Sequence, residues 1–215
     1  DFFELWRNER LLPHLHLPLQ SGSEAVLRRM ARRTNQAQFA RLVQAARQAI
    51  PDVSITTDII VGFPGETQAE FEESMAFVAE LALAKLHIFR YSRRAGTAAA
   101  AMRGQVAEPV AQERSQRMHA LNIELEHTFR RSFIGRTMPV LWESQEPYGF
   151  GWQWSGLTGN YLRVVTQTAP SVNLRNQVID TALVELVPAA LQGQLPANHL
   201  SRPVPITLEL TSLAS

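Results

Sequence analysis

The sequence has 215 residues, of which 45% are hydrophobic, and its 21 Lys and Arg residues nearly balance 20 Asp and Glu residues. This apolar content suffices for a hydrophobic core, while the balanced charge excludes an overall electrostatic field as the means of binding nucleic acid. No apolar run approaches the ~20 residues of a membrane-spanning helix, and no secretion signal opens the chain, so we expect a cytoplasmic protein without membrane contacts.

Residues 11–133 alternate short apolar strands with amphipathic helices, a pattern that predicts an α/β fold with parallel strands covered by helices. We expect three such units. In chain order, the predicted elements are strand 14–19, helices 23–31 and 36–49, strand 53–61, helix 67–82, strand 85–91 and a long helix 110–133. Thr67, followed three residues later by Glu70, predicts a capping box at the start of one helix.

From Thr137 onward the helical period disappears and short strands take over. The predicted strands are 137–143, 149–157, 161–167, 178–187 and 190–195. Five short strands with Gly and Asn turns suit a small all-β closed barrel of the oligonucleotide-binding (OB) kind. The predicted division of the chain is therefore a parallel-sheet domain over 1–134, a β-barrel over 135–196, and a tail or edge strand over 197–215.

Two segments join an apolar strand to a small polar turn and then a helix. Residues 13–22 read PHLHLPLQSG, and residues 56–67 read TTDIIVGFPGET. In a parallel barrel such turns meet at the carboxyl-terminal rim, where ligands bind. Gly62 and Gly65 permit the close backbone approach that a ligand at this rim requires. The two segments together predict a cofactor site.

These segments, together with residues 89–97 (FRYSRRAGT), resemble the methylthiotransferases of the radical S-adenosylmethionine (SAM) superfamily over about residues 11–195. The resemblance implies the C-terminal half of a radical SAM partial barrel followed by an RNA-binding TRAM domain. Within the family, residues 13–22 and 86–92 are most similar to the enzymes that modify threonylcarbamoyladenosine beside the tRNA anticodon. Arg93 and Ala95 replace two prolines usual in the family, so the loop they occupy is expected to be less rigid.

The resemblance also implies the chemistry of the whole enzyme. It implies S-adenosyl-L-methionine, two 4Fe–4S clusters, a 5′-deoxyadenosyl radical that abstracts hydrogen from adenine C2, and installation of a methylthio group. Such clusters are held by cysteine thiolates, whereas this sequence contains no cysteine. We therefore expect the chain to be an inactive segment of a longer enzyme, with the cluster ligands upstream of Asp1.

The resemblance places the cofactor at the predicted rim. There an adenine ring is expected against apolar Ile60 and Phe63, and the cofactor carboxylate against Arg32. The predicted cofactor-binding residues are Gln20, Ser21, Arg32, Asp58, Ile60, Gly62, Phe63 and Glu66. A purely structural interpretation stays open for several of them, because Ser21 suits a helix cap and Glu66 suits a helix N-terminus.

His14 and His16 point to one face of their strand, a spacing that invites a metal site. No third ligand stands at convincing spacing, which favours packed or hydrogen-bonded histidines. A hydrolase built from either histidine with Asp58 and Ser21 lacks a nucleophile-elbow sequence. Residues 62–67 also lack the lysine of a phosphate-binding loop.

The predicted barrel offers two candidate RNA surfaces. Phe150, Trp152 and Trp154 alternate along one strand and share a face, which is more often a barrel core than a stacking platform for bases. The predicted RNA-binding residues are Asn160, Tyr161 and Arg163, although a turn and a strand pair explain them equally well.

The partners expected from the resemblance are tRNA and the small-molecule cofactor. Two alternatives remain: a non-catalytic RNA-binding remnant, and a sister methylthiotransferase acting on isopentenyladenosine tRNA or on ribosomal protein. The apolar edge of strand 14–19 is expected to promote self-association of the chain.

Overall fold

The computed structural model describes residues 2–197, so the edge strand predicted within 197–215 falls almost entirely outside the described residues. After a 3₁₀ helix, Phe2–Arg7, the helices are α1 Glu24–Arg29, α2 Gln36–Ala49, α3 Gln68–Leu81, α4 Ala98–Ala101 and α5 Glu108–Arg131. The strands are β1 His14–His16, β2 Ser54–Val61, β3 Lys85–Arg90, β4 Thr137–Tyr148, β5 Gly151–Thr158, β6 Arg163–Thr168, β7 Gln177–Val187 and β8 Ala190–Gln194. None of the described helices has the length and apolarity to cross a bilayer.

The first three strands form a parallel sheet in the order β1-β2-β3, which confirms the predicted parallel pairing. Alternation along the strands divides their side chains between two faces. Leu15, Ile55, Ile59 and Leu86 lie on the apolar face and belong to a core that includes residues from α2, α3 and α5. The opposite face carries mostly polar side chains, among them His16, Thr56, Asp58 and His87.

Strand β1 is shorter than the predicted strand 14–19. Pro18 has no N–H to donate, and the regular pairing stops before it. Beyond β1 the hydroxyl of Thr57 takes the place of the backbone hydrogen bonds between the two strands. It donates to the Leu17 carbonyl (2.6 Å) and accepts from the Leu19 N–H (2.9 Å). Pairing resumes at Gln20, which forms an isolated parallel bridge with Ile59.

Capping residues and a proline mark where the helices that pack on the apolar face begin. α2 begins after Asn35, whose side chain accepts from the Gln38 N–H in a capping box. α3 begins after Thr67, and the capping box predicted with Glu70 is confirmed. α5 has Pro109 in its first turn and runs antiparallel to β3, from the carboxyl-terminal end of the sheet toward the amino-terminal end.

The second half of the chain is a closed five-stranded barrel in the order β4-β5-β6-β8-β7. Trp154 lies in the barrel core with Trp142, and Trp152 packs partly against that core, whereas Phe150 at the hairpin tip is fully exposed. β4 extends beyond its predicted end at residue 143, because its pairing with β5 continues past an irregularity near Trp142 and reaches Tyr148.

The barrel packs against the amino-terminal end of the parallel sheet. Asp52, just before β2, accepts two N–H donors from the Arg136 guanidinium, and its backbone carbonyl accepts from the Asn160 side-chain amide (2.9 Å). The ring of Tyr161 lies 4.5 Å from that of His14. The carboxyl-terminal rim of the sheet, with its predicted cofactor turns, therefore lies at the end remote from the barrel.

Candidate functional site

The polar face of the sheet leads to the carboxyl-terminal rim, which is the end where parallel barrels bind ligands. Strand register places His16 beside Thr56, Asp58 beside His87, and Ile60 beside Phe89. Toward the carboxyl-terminal rim this face becomes mixed, because Asp58 is followed by the partly exposed Ile60 and by Phe89, which is 53% exposed. A carboxylate next to apolar surface suits a ligand that has both polar and apolar parts.

Gln20 connects the first predicted turn to this rim. Its N–H donates to the Asp58 carbonyl and its carbonyl accepts from the Ile60 N–H, both at 2.8 Å. Gln20 also has φ = 77°, a conformation uncommon for a residue with a side chain. Three predicted cofactor residues, Gln20, Asp58 and Ile60, therefore converge at one point of the sheet.

The turn that ends β2 is held from inside the protein. Gly62 has φ = 74°, and a Cβ atom there would lie 2.9 Å from the Cβ of Ala111, so a side chain would disturb both the turn and α5. The Gly62 N–H donates to the Glu66 carboxylate (2.7 Å), which also accepts from Arg114 Nη1 (2.7 Å). Glu66 is buried and its carboxylate bonds within the protein.

Burial raises the pKa of the Glu66 carboxyl, while the Gly62 N–H and the Arg114 guanidinium oppose that shift. The Arg114 side chain is only 6% exposed, so both charges lie away from water. A buried pair of this kind is sensitive to loss of either partner.

Helix α3 ties the two predicted turns to one another. The Ser74 hydroxyl accepts from the Gly22 N–H (2.8 Å), beside Ser21, on the first turn. Next to the second turn, Arg29 of α1 donates two N–H groups to Glu70, at 2.9 and 2.6 Å. Hydrogen bonds from Arg29 hold the pKa of the Glu70 carboxyl at about 2. Both turns thus share one rigid support.

The remaining predicted cofactor residues differ in accessibility. Ser21 is fully buried, and its hydroxyl accepts from the Ser23 N–H (3.1 Å) in a local turn. Phe63 is also buried and packs edge-on against Tyr91. Arg32 is exposed beyond the end of α1. The side chains of Ser21 and Phe63 are thus buried within the two turns, whereas the side chain of Arg32 lies at the surface.

The histidine pair makes polar contacts through His16, while the ring of His14 lies against Tyr161. His16 Nδ1 lies 3.0 Å from the Thr56 hydroxyl, and Nε2 lies 3.3 Å from the Asp58 carboxylate. Within residues 2–197 no group of three potential ligands could hold a metal ion. The serine of the hydrolase alternative is buried, so it offers no accessible nucleophile next to His16.

The predicted RNA residues lie at the junction between sheet and barrel. Asn160 is 1% exposed, and both ends of its amide are bonded within the protein, to Thr158 and to Asp52. Tyr161 is 56% exposed. The exposed Arg163 donates to the Ser155 hydroxyl across the β5–β6 pair (2.7 Å). Tyr161 and Arg163 are thus accessible to a partner, and Asn160 fixes the turn that carries them.

The residues at the rim fit an adenosyl ligand but not an iron–sulfur cluster. Asp58 offers a hydrogen-bond acceptor, Ile60 offers apolar surface, and the buried hydroxyl of Tyr91 beside the turn is unpartnered. Cluster ligation requires thiolates, which this sequence lacks. No chemical step through a cluster is therefore assigned to these residues.

Sequence reasoning missed two polar residues of α5 that organise the site. Arg114 bonds Glu66, and Asn122 accepts from the Leu86 N–H (2.7 Å) at the edge of β3. Both occupy the buried stripe of α5, at helical spacing from Ala111, Met118 and Leu125. The sequence did offer one signal for these two residues, because each is a polar residue at a position where an amphipathic helix normally places an apolar one.

The radical SAM superfamily profile matches residues 1–78. Coproporphyrinogen III oxidase (HemN) from Escherichia coli, a radical SAM enzyme, has a similar fold with a TM-score of 0.50 at 17% identity, over 74% of this chain and 43% of that one.

Two sequence relatives carry the names of tRNA-modifying enzymes. The tRNA-2-methylthio-N(6)-dimethylallyladenosine synthase of Thermobifida fusca is 45% identical over 61% of this chain and 26% of its own length. The threonylcarbamoyladenosine tRNA methylthiotransferase MtaB of Bacillus subtilis is 38% identical over 74% of this chain and 36% of its own length.

A third relative extends the match into the barrel. The tRNA-2-methylthio-N(6)-dimethylallyladenosine synthase of Symbiobacterium thermophilum is 37% identical over 89% of this chain and 40% of its own length. The chain thus spans well under half the length of these relatives. By sequence the chain is thus similar to radical SAM methylthiotransferases, and the solved structure supports a radical SAM-like fold.

Proposed function

We propose that this chain forms the C-terminal part of a tRNA methylthiotransferase, comprising one side of its cofactor site and a TRAM-like barrel. The observation that carries the proposal is the convergence of Gln20, Asp58 and Ile60 at the carboxyl-terminal rim of a radical SAM-like sheet. The relatives named above are methylthiotransferases, and this rim is where parallel barrels bind their ligands.

The protein's part in the reaction is to bind and orient the cofactor and the nucleoside and to exclude water from the site. Ile60 would contact the adenine ring, Asp58 and Gln20 would hydrogen-bond the polar groups of the cofactor, and Arg32 would bind its carboxylate. Glu66 holds the turn at Gly62 so that the backbone can approach the ligand. When bound, S-adenosylmethionine would supply a radical for hydrogen abstraction, with the electron for its cleavage coming from a cluster held outside this chain.

We further propose threonylcarbamoyladenosine beside the anticodon as the nucleoside, methylthiolated at C2. Residues 13–22 and 86–92 support this branch by resemblance. Dimethylallyladenosine is the second candidate, because relatives that carry this name reach 45% identity. In either case Tyr161 and Arg163 are proposed contacts to the tRNA. A cytoplasmic location follows from such a substrate.

The test is nucleoside analysis by mass spectrometry of tRNA from cells with and without the gene. Deletion is expected to abolish the 2-methylthio group on threonylcarbamoyladenosine and to leave methylthiolated dimethylallyladenosine intact. The converse loss would assign the second nucleoside. Unchanged levels of both would contradict a tRNA methylthiotransferase and favour the alternatives of an RNA-binding remnant or an enzyme acting on ribosomal protein.

A further inference from the structure

A cleft of about 530 Å³ opens on the polar face of the sheet, at the level of the first residues of β3. Its volume lies within the range of roughly 300–1,000 Å³ that small-molecule sites occupy. We name it the Arg130 cleft and define it by Lys85, His87, Glu126 and Arg130 in its wall. Toward the cofactor rim, the ring of His87 lies 5.5 Å from that of His16 on the same face.

The Arg130 guanidinium has charge and donors but no acceptor. Its side chain is only 17% exposed, and its Nε–H is buried without a hydrogen-bond partner among residues 2–197. The Glu126 carboxylate, one helical turn away, lies 3.7 Å from Nη1, which is too far for a hydrogen bond. The other oxygen of Glu126 accepts from the Asn122 amide (2.9 Å). The donors of Arg130 are therefore left for a ligand.

The chemistry of that ligand follows from the unmet donors. A buried donor without an acceptor costs free energy, because it has lost water and gained no other partner. The helix dipole favours a cation in the last turn of α5, but it does not explain why the Nε–H of Arg130 is buried. The planar guanidinium matches two oxygens of one oxyanion. Lys85, exposed on β3, adds a second positive charge to the same cleft.

We propose that the Arg130 cleft binds the threonyl carboxylate of threonylcarbamoyladenosine, so that Arg130 determines which nucleoside is methylthiolated. The carboxylate ends the N6 substituent, several bonds from C2, so the two groups can occupy different levels of one face. From Phe89 at the rim to Lys85, that face extends for roughly 13 Å, at about 3.3 Å for each residue. His87 lies midway, where the base would lie between the cofactor and the cations.

This inference rests on the proposed function and deepens it by separating the two candidate nucleosides. A dimethylallyl group is a hydrocarbon with no acceptor. In the Arg130 cleft it would displace water from Arg130 and Lys85 and leave both charges unpaired. A site built to bond a polar group discriminates strongly against an analogue that lacks the group. The cleft therefore favours the nucleoside that carries a carboxylate.

The test is a ligand-observed NMR titration of the 215-residue chain with threonylcarbamoyladenosine, its methyl ester and dimethylallyladenosine. The ester keeps the shape of the substituent and removes its negative charge. We expect the ester and the dimethylallyl nucleoside to bind about 10- to 100-fold more weakly than the acid, which corresponds to the loss of a charge-assisted hydrogen bond.

Three variants locate the preference for the acid. Arg130→Met removes the guanidinium and is expected to bind acid and ester equally. Arg131→Met removes an exposed charge at the next position, outside the cleft, and is expected to retain the full preference. Lys85→Met, at an exposed position, is expected to reduce the preference in part. Circular dichroism establishes that each variant is folded. Should Arg130→Met not fold, an unchanged preference in Lys85→Met overturns the proposal.

Two other results would also overturn it. One is an unaltered chain that binds the acid no better than the ester, whether weakly or not at all. The other is an equal loss of preference with Arg131→Met. Adenosine monophosphate is the remaining probe, since a phosphate presents similar oxygens. Arg130-dependent binding of this nucleotide, without binding of the acid, would assign the cleft to a phosphate instead.

Failure of this inference is distinguishable from failure of the proposed function. Gene deletion tests the function through the methylthio content of cellular tRNA, and it does not depend on how the nucleoside is selected. If deletion removes the methylthio group while the chain shows no preference for the acid, the function stands and only the role of Arg130 is lost.

Discussion

Arg114 Nη1 donates to both the carboxylate and the backbone carbonyl of Glu66, at 2.7 and 3.0 Å. The two residues are 48 positions apart, yet their side chains are 6% and 1% exposed. Through this contact α5 fixes the turn at Gly62, in the middle of the second predicted cofactor segment. The turn therefore depends on a helix that is separated from it along the chain by three elements, α3, β3 and α4.

Arg114→Met is expected to destabilise the sheet domain by about 3–5 kcal/mol, because it leaves the Glu66 carboxylate buried without its partner. Combining it with Glu66→Gln removes the orphaned charge and is expected to restore part of the loss. Urea denaturation followed by circular dichroism measures both effects.

Arg117→Met is the matched control on the same helix. Arg117 pairs with Glu72, but the two side chains are 37% and 48% exposed. The loss expected from this control is much smaller, because solvent screens an exposed ion pair. Equal losses for Arg114→Met and Arg117→Met would show that burial of the Glu66 pair contributes nothing to stability.

The Arg29–Glu70 pair predicts how stability changes with pH. Hydrogen bonds from Arg29 lower the pKa of folded Glu70 to about 2, from 4.5 in the absence of structure. The unfolded state therefore takes up this proton first as the pH falls. The stabilisation is complete above pH 4.5 and is lost as the pH falls toward 2.

Glu70→Gln is expected to flatten this acid limb, whereas Glu80→Gln, at an exposed position of the same helix, is expected to leave it unchanged. Thermal melts between pH 2 and 5 provide the measurement. An acid limb in Glu70→Gln as steep as that of the unaltered chain would refute the prediction.

Gly156 tests the packing of the barrel. A Cβ atom there would lie 2.5 Å from the Leu141 carbonyl oxygen and 3.0 Å from the Trp142 ring. Gly156→Ala is expected to cost about 1–3 kcal/mol of barrel stability through overpacking. At Gly159 the same atom would make only contacts of 3.5 Å, so Gly159→Ala is the control. Tryptophan fluorescence during denaturation reports both, and equal midpoints would contradict this packing.

Strand β1 is an edge of the sheet and pairs only with β2 among the described strands. Unpaired edges promote association between chains. We expect the sedimentation coefficient of the chain to rise with concentration. A single monomeric species at every concentration would show that the edge is inert.

The sequence predicted those parts of the fold that local signals determine. The bounds of α2 agree with the predicted 36–49, because Asn35 caps its start and Pro51 follows its end. The capping box of α3 was equally readable. In contrast, the strand 14–19 was predicted too long, since the exchange of ladder bonds for the Thr57 hydroxyl depends on a residue 40 positions from Leu17.

The candidate site shows the same division. The strand-to-turn pattern predicted the two turns, the family resemblance supplied the individual cofactor residues, which stay predictions, and the structure supplied the strand register that sets their neighbours. The partner of Glu66 was not found, because an arginine within a charged helix gives no local sign of which carboxylate it reaches. The role of Asn160 at the junction was hidden for the same reason, since Asp52 is 108 residues away.

The most direct test of the account is the methylthio content of tRNA in cells whose gene copy encodes Ile60→Lys. Ile60 lies on the polar face at the rim, where an added ammonium would occupy the proposed adenine position. Leu42→Lys makes the same change on the 40% exposed surface of α2. At equal protein levels, we expect Ile60→Lys to abolish the 2-methylthio group on threonylcarbamoyladenosine and Leu42→Lys to retain it. Full methylthiolation with Ile60→Lys would contradict a cofactor site at this rim.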